Sequence, residues 1–95
     1  MKDTSSPVFE RAGELFGVLS TPTRLRIICA LCRGEKNVSY LLNQIEVSQP
    51  NMSRHLSVLY RAGVVAKRQS GAQVFYRIAE ESVVLVRTTV CSQIK

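Results

Sequence analysis

The stretch that decides the fold is Ser39-Tyr40-Leu41-Leu42-Asn43-Gln44-Ile45-Glu46-Val47-Ser48-Gln49-Pro50-Asn51-Met52-Ser53-Arg54-His55-Leu56-Ser57-Val58-Leu59-Tyr60. Ser39 suits the cap of a short helix with apolar positions at Leu41, Leu42 and Ile45. Val47-Ser48 reads as a tight turn. Ser48 then suits the cap of a second helix, with Pro50 in its first turn, where a missing N–H costs nothing. Leu56, Leu59 and Tyr60 give this helix its apolar face, and Ala62-Gly63 ends it. Two helices joined by three or four residues make a helix-turn-helix.

Toward the N-terminus, Val8, Ala12, Leu15, Phe16 and Leu19 recur at helical spacing and predict a helix over 7–19. Ser20-Thr21-Pro22 breaks it. A second helix follows over 22–33, with Leu25, Ile28, Cys29 and Cys32 on one face and Ile27 and Leu31 beside them. Gly34 ends it, and Glu35-Lys36-Asn37 reads as a loop. Toward the C-terminus the period changes. Residues 64–69 and 73–78 are rich in β-branched and aromatic side chains and flank Ser70-Gly71-Ala72, which predicts a β-hairpin. Val83, Val86, Val90 and Ile94 predict a last helix over 80–94. Its β-branched content lowers its propensity, so packing against a second subunit is expected to hold it.

The expected fold is mainly α with a small β-hairpin, in the order α-α-α-α-β-β-α: one winged helix-turn-helix domain over 1–95. The first and last helices carry apolar stripes beyond what one small core buries, so they are expected to form a homodimer. The 95 residues are 45% hydrophobic and 21% charged, which excludes a disordered chain. No apolar run approaches a membrane span and the N-terminus has no signal-peptide pattern, so a cytoplasmic protein is expected, with no membrane partner. Three cysteines, an odd number, argue against a secreted disulfide framework.

The charge is uneven. Residues 48–79 hold Arg54, Arg61, Lys67, Arg68 and Arg77 and no carboxylate, and so carry nearly all of the net +6. That pattern suits a polyanion-binding face, and the helix-turn-helix makes double-stranded DNA the expected polyanion. Ser48, Gln49, Asn51, Met52, Ser53, Arg54 and His55 lie on the segment expected to enter the major groove, where Arg reads guanine and Asn or Gln reads adenine. Lys67, Arg68 and Gln73 on the wing are expected to contact phosphate or the minor groove. Arg77 reads equally as a strand residue paired within the fold, and Arg24 and Arg26 as structural, with Glu10 and Glu14 as partners.

These elements also resemble a family. Leu19-Ser20-Thr21-Pro22-Thr23-Arg24-Leu25-Arg26-Ile27-Ile28 resembles the L-x-x-P-x-R-L-x-I-L second-helix signature of the ArsR/SmtB bacterial repressors. Ser48 through Leu59 resembles that family's S-Q-P-x-x-S-x-H-L-x-x-L recognition helix. Ala62-Gly63-Val64-Val65 is similar to its A-G-L-V, and Gly71 through Ile78 to its G-x-x-x-Y-x-L wing strand. The resemblance covers residues 8–95 and implies a homodimeric repressor that leaves an inverted-repeat operator when an inducer arrives.

The third helix lacks the Cys-x-Cys of metal-sensing members, and the last has Glu80, Glu81 and Cys91 but no His, so no metal site and no cofactor are expected. Cys29 and Cys91 instead resemble the cysteine pair of the sulfide- and persulfide-responsive branch. That resemblance implies release when oxidation or a polysulfide bridge joins the pair, with reactive sulfur or another oxidant as inducer and sulfur-oxidation or sulfide-response genes as targets. Cys32 departs from the two-cysteine pattern and is given an auxiliary role. The alternative is an arsenite or metal site of three thiolates, Cys29, Cys32 and Cys91. A redox-enzyme reading of Cys29-Ala30-Leu31-Cys32 fails because the first thiol sits mid-helix, away from the N-terminal dipole that would activate it. No enzyme is expected.

Overall fold

A computed structural model of the chain describes residues 7–79 and residue 82. The expected last helix, Cys91 and the last helix's part in a dimer lie outside the described residues. The order is α1 (Pro7–Val18), α2 (Pro22–Leu31), β1 (Lys36–Asn37), α3 (Val38–Gln44), α4 (Gln49–Arg61), β2 (Val65–Ser70) and β3 (Gln73–Ile78). This is a winged helix-turn-helix, with α3 and α4 as the helix pair and β2–β3 as the wing.

Local chemistry accounts for most boundaries. The Ser48 hydroxyl accepts from the Asn51 N–H at 3.3 Å, which satisfies one of the donors orphaned at the start of α4. Gly63, at φ +81°, ends α4 in the left-handed region that glycine enters without strain. The hairpin closes through Gly71-Ala72 alone, one residue tighter than expected, with Gly71 at φ +63° as the first position of a II′-like turn requires.

Further expectations change. The Glu35-Lys36-Asn37 loop contains a strand: Lys36 pairs with Tyr76 and Asn37 with Phe75, giving an antiparallel sheet in the order β1-β3-β2. The cap of α3 is Asn37 rather than Ser39, its side chain accepting from the Tyr40 N–H at 2.8 Å. α2 ends at Leu31, two residues early, and turns into Gly34.

The core joins α2, α3, α4 and the start of β2: Ile27, Ile28, Leu31, Leu41, Ile45, Met52, Leu56, Leu59, Val64 and Val65. Of the expected Leu25-Ile28-Cys29-Cys32 face of α2, Ile28 is fully buried and Leu25 and Cys32 pack partly buried against the core, while Ile27 and Leu31 beside them complete the buried face. On α4 the buried face is Met52-Leu56-Leu59, and Tyr60 stays 44% exposed under the ammonium of Lys67, 4.5 Å from its ring. Past the wing, the Ala79 N–H donates to Val64 O at 2.9 Å and the Ser82 hydroxyl to Gly63 O at 3.1 Å, which ties the chain's exit to the end of α4.

Candidate nucleic-acid interface

The buried face of α4 decides which of its residues can meet a ligand. With Met52, Leu56 and Leu59 in the core, Ser48, Gln49, Asn51, Ser53 and Arg54 are exposed. Met52, placed among the DNA-contacting residues by position alone, is fully buried and cannot touch a groove. Gln49 and Ser53 line a polar cleft of about 360 Å³ with Gln73 of the wing and with Asn37 and Ser39. Across it the Asn37 Nδ2–H donates to Gln73 Oε1 at 2.7 Å. The fold therefore brings Gln49, Ser53 and Gln73, distant in sequence, to one place. Arg54 reaches the Asn51 amide oxygen only at 3.4 Å, so its guanidinium is available to a partner.

The two wing cations differ. Adjacent residues of a strand point to opposite faces. Lys67 lies over Tyr60 of α4, whereas Arg68 lies over the Phe75 ring and donates from Nε and Nη2 to both carboxylate oxygens of Glu35, at 2.8 and 2.7 Å. Arg68 is thus a half-exposed strut across the sheet whose forked N–H groups are engaged by Glu35. The bidentate hydrogen bond, more than charge alone, holds the Glu35 carboxyl below its usual 4.5, with Arg68 and Arg77 as the acting charges. Because folding depresses this pKa, the tie acts above 4.5 and is lost as pH falls through the folded value. Glu35 was missed because the pair spans 33 residues.

His55, expected to contact DNA, is half-buried and turned toward α2: its Nδ1 accepts from Arg24 Nε at 3.2 Å. Burial first, then the Arg24 and Arg54 charges, holds the imidazole below 6.5. Arg24 also donates to Val18 O at 3.0 Å and has neither of its expected carboxylate partners; Arg11 pairs with Glu14 instead.

On α2, Cys29 is a free, half-exposed thiol in a hollow of about 200 Å³ with Arg26, Arg33 and Gln44. Cys32, the residue after α2, is disulfide-bonded in this structure, whereas Cys29 is not. Ile27, Ile28 and Leu31 take the core, and Cys32 packs partly buried against it. Among the described residues no group of three His, Cys, Asp or Glu side chains is placed to hold a metal ion, and no helix is long and apolar enough to cross a membrane.

The model of the family described as "Bacterial regulatory protein, arsR family" matches residues 21–67, which run from the α2 cap to the wing. The biofilm growth-associated repressor of Xylella fastidiosa is 39% identical over 80 residues, 81% of this chain and 70% of that protein. The chain belongs to the ArsR/SmtB family. Among solved ArsR/SmtB-like structures, the transcriptional repressor BigR from Xylella fastidiosa superposes at TM-score 0.77 with 37% identity, covering 99% of this chain and 96% of that one. Reduced HlyU from Vibrio cholerae gives 0.79 with 28% identity, covering 94% and 98%. As an ArsR/SmtB member the chain is a DNA-binding transcriptional regulator and not an enzyme.

The exposed residues of α4 and the wing sort by contact. Arg54→Ala is expected to cost operator binding about 1–3 kcal/mol with a smaller effect on random DNA, as loss of a base contact does. Glu35→Gln is expected to release Arg68, raise affinity for random DNA and steepen the salt dependence by about one unit. Fluorescence anisotropy across a salt series separates the two. An unchanged slope for Glu35→Gln would mean that Arg68 does not reach phosphate even when freed.

Proposed function

We propose that this ArsR/SmtB member is a repressor that binds an inverted-repeat operator as a homodimer and leaves it when its thiols are joined by oxidation or by reactive sulfur. The observation that carries the DNA half is the exposed Gln49, Asn51, Ser53 and Arg54 face of α4 beside the wing cleft. Half-sites about one helical turn apart, ~10 base pairs, suit two such helices on a two-fold axis. The dimer reading is supported by α1, whose Phe9 and Phe16 stand exposed.

The switch half rests on the two cysteines at the end of α2, one a free thiol and one disulfide-bonded. Cys29, beside Arg26 and Arg33, receives the inducer; Cys32 and Cys91 form the bridge. A thiolate attacks the outer sulfur of a small persulfide, R–S–SH, giving Cys–S–SH and releasing R–S⁻. The Cys32 thiolate takes the outer sulfur from Cys29, giving Cys32–S–SH and restoring the Cys29 thiolate; the Cys91 thiolate then attacks the inner sulfur on Cys32, giving Cys32–S–S–Cys91 and releasing hydrosulfide.

The test is a gel shift on the chain's own promoter, reduced and then persulfide-treated. Wild type is expected to lose about 100-fold in affinity on treatment, equivalent to about 2.7 kcal/mol of coupling. Cys32→Ser and Cys91→Ser should stay bound, and Cys29→Ser should be released more slowly. Full release of Cys32→Ser with retention of Cys29→Ser would return the bridge to Cys29 and Cys91.

A further inference from the structure

A side-chain hydrogen bond joins the start of α2 to α4, and its placement is unusual. Arg24 occupies the first turn of α2, where a cation opposes the helix dipole and no acidic residue offsets it. Its two side-chain contacts explain the position. Nη1 donates at 3.0 Å to the carbonyl of Val18, the last residue of α1, one of the acceptors a helix end leaves unpaired. Nε donates at 3.2 Å to Nδ1 of His55 on α4. One guanidinium therefore spans three helices.

The acceptor role of Nδ1 specifies the imidazole. A ring whose Nδ1 accepts is neutral and carries its proton on Nε2. Protonation would set an N–H on Nδ1 against the guanidinium N–H, two donors face to face, and the contact would open. The charges acting on the ring are Arg24 from α2 and Arg54 from α4 itself, both positive, and α1 contributes only the Val18 carbonyl through Arg24.

We propose that Arg24 is a positioning residue for α4: it locks His55 as the neutral Nε2–H tautomer and ties the recognition helix to the α1–α2 corner. Met52, Leu56 and Leu59 seat α4 along one buried stripe, and the His55 link on the flank of that stripe sets its roll, hence the direction of Asn51 and Arg54. Because Cys29 and Cys32 ride at the other end of the same α2, a displacement of α2 caused by thiol chemistry reaches α4 through this joint. The inference deepens the DNA-binding reading and rests on it.

His55 is the chain's single histidine, so its imidazole NMR signals are unambiguous. In the full chain without DNA, nitrogen shifts should report the Nε2–H tautomer and a midpoint below 6.5. Arg24→Gln should raise the midpoint and mix the tautomers; Arg24→Lys, which keeps the charge and loses the fork, should mix the tautomers as well. The binding arm uses a duplex selected by the wild-type protein from a random pool, with an unselected duplex as reference. Arg24→Gln and His55→Leu should each lower affinity for the selected duplex on the order of tenfold, the size of one hydrogen bond to a charged group, with random-duplex affinity unchanged. Combined, they should do no more than either alone. His55→Asn, whose Oδ1 stands where Nδ1 stands, should keep the preference for the selected duplex and hold it as pH falls, whereas wild type loses that preference in acid.

A mixed-tautomer His55 with an ordinary midpoint in wild type overturns the proposal, whatever the DNA arm shows. So does an Arg24→Gln loss that is equal on both duplexes, or additivity of the two single variants. Failure of the wild-type chain to select any duplex would count against the DNA-binding reading and leaves the joint to be decided by the NMR arm.

Discussion

Leu56→Ala is expected to destabilise the fold by about 2–5 kcal/mol, from a total that for such domains is only about 5–15. Leu56 is 1% exposed and lies in the cluster where α2, α3 and α4 meet, among Ile27, Leu41, Met52 and Leu59. Truncation removes the transfer free energy of the lost methyl groups and leaves a cavity among residues held by three helices, which collapse onto it poorly. A fall in Tm of roughly 10 °C or more follows for a chain of this size. Tyr60→Ala, four residues on, is the matched comparison. Tyr60 is 44% exposed and its contact is the Lys67 ammonium, so its loss should cost only about 1 kcal/mol. Thermal and urea unfolding of both variants checks the contrast. Equal destabilisation by the two would mean that α4 is not seated on the Met52-Leu56-Leu59 face, and with it the exposure of Asn51 and Arg54 would have to be reassigned.

The second large effect belongs to α1. Phe16 is 71% exposed and Phe9 55%, seven residues apart and so on nearly the same face of one helix. Neither belongs to the core of the described chain, so Phe16→Glu should leave protomer stability within about 0.5 kcal/mol, the usual range for a surface change. If the face is covered by a second copy, a carboxylate there meets an apolar surface on both sides of the two-fold axis and the dimer should dissociate. Each recognition helix then binds its half-site alone. Losing the linked second contact lowers operator affinity by about 10²–10⁴-fold without any change in α4. Sedimentation equilibrium at micromolar concentration, run beside the operator titration, reads both consequences. A Phe16→Glu chain that stays dimeric and keeps full operator affinity would assign the interface elsewhere.

What the amino-acid sequence determined by itself is everything that depends on neighbours within a turn or two. The helix-turn-helix was legible because Ser48 caps α4 through its own third neighbour and Pro50 tolerates the first turn. Gly63 and Gly71 marked a helix end and a hairpin because positive φ is a local demand. The β-branched and aromatic runs of the wing and the carboxylate-free basic third mark a DNA-binding module without reference to any tertiary contact. What only the tertiary structure decided concerns which face of each short helix is buried. An amphipathic helix of ten residues supports more than one apolar stripe, and the choice is made by its neighbours: Ile27, Ile28 and Leu31 won on α2, and Met52 was drawn from the ligand face of α4 into the core. The same holds for polar pairs. Arg68 with Glu35 and Arg24 with His55 are more than thirty residues apart, so no local pattern announces them. β1 is two residues long and exists only because β3 presents it with a ladder to join.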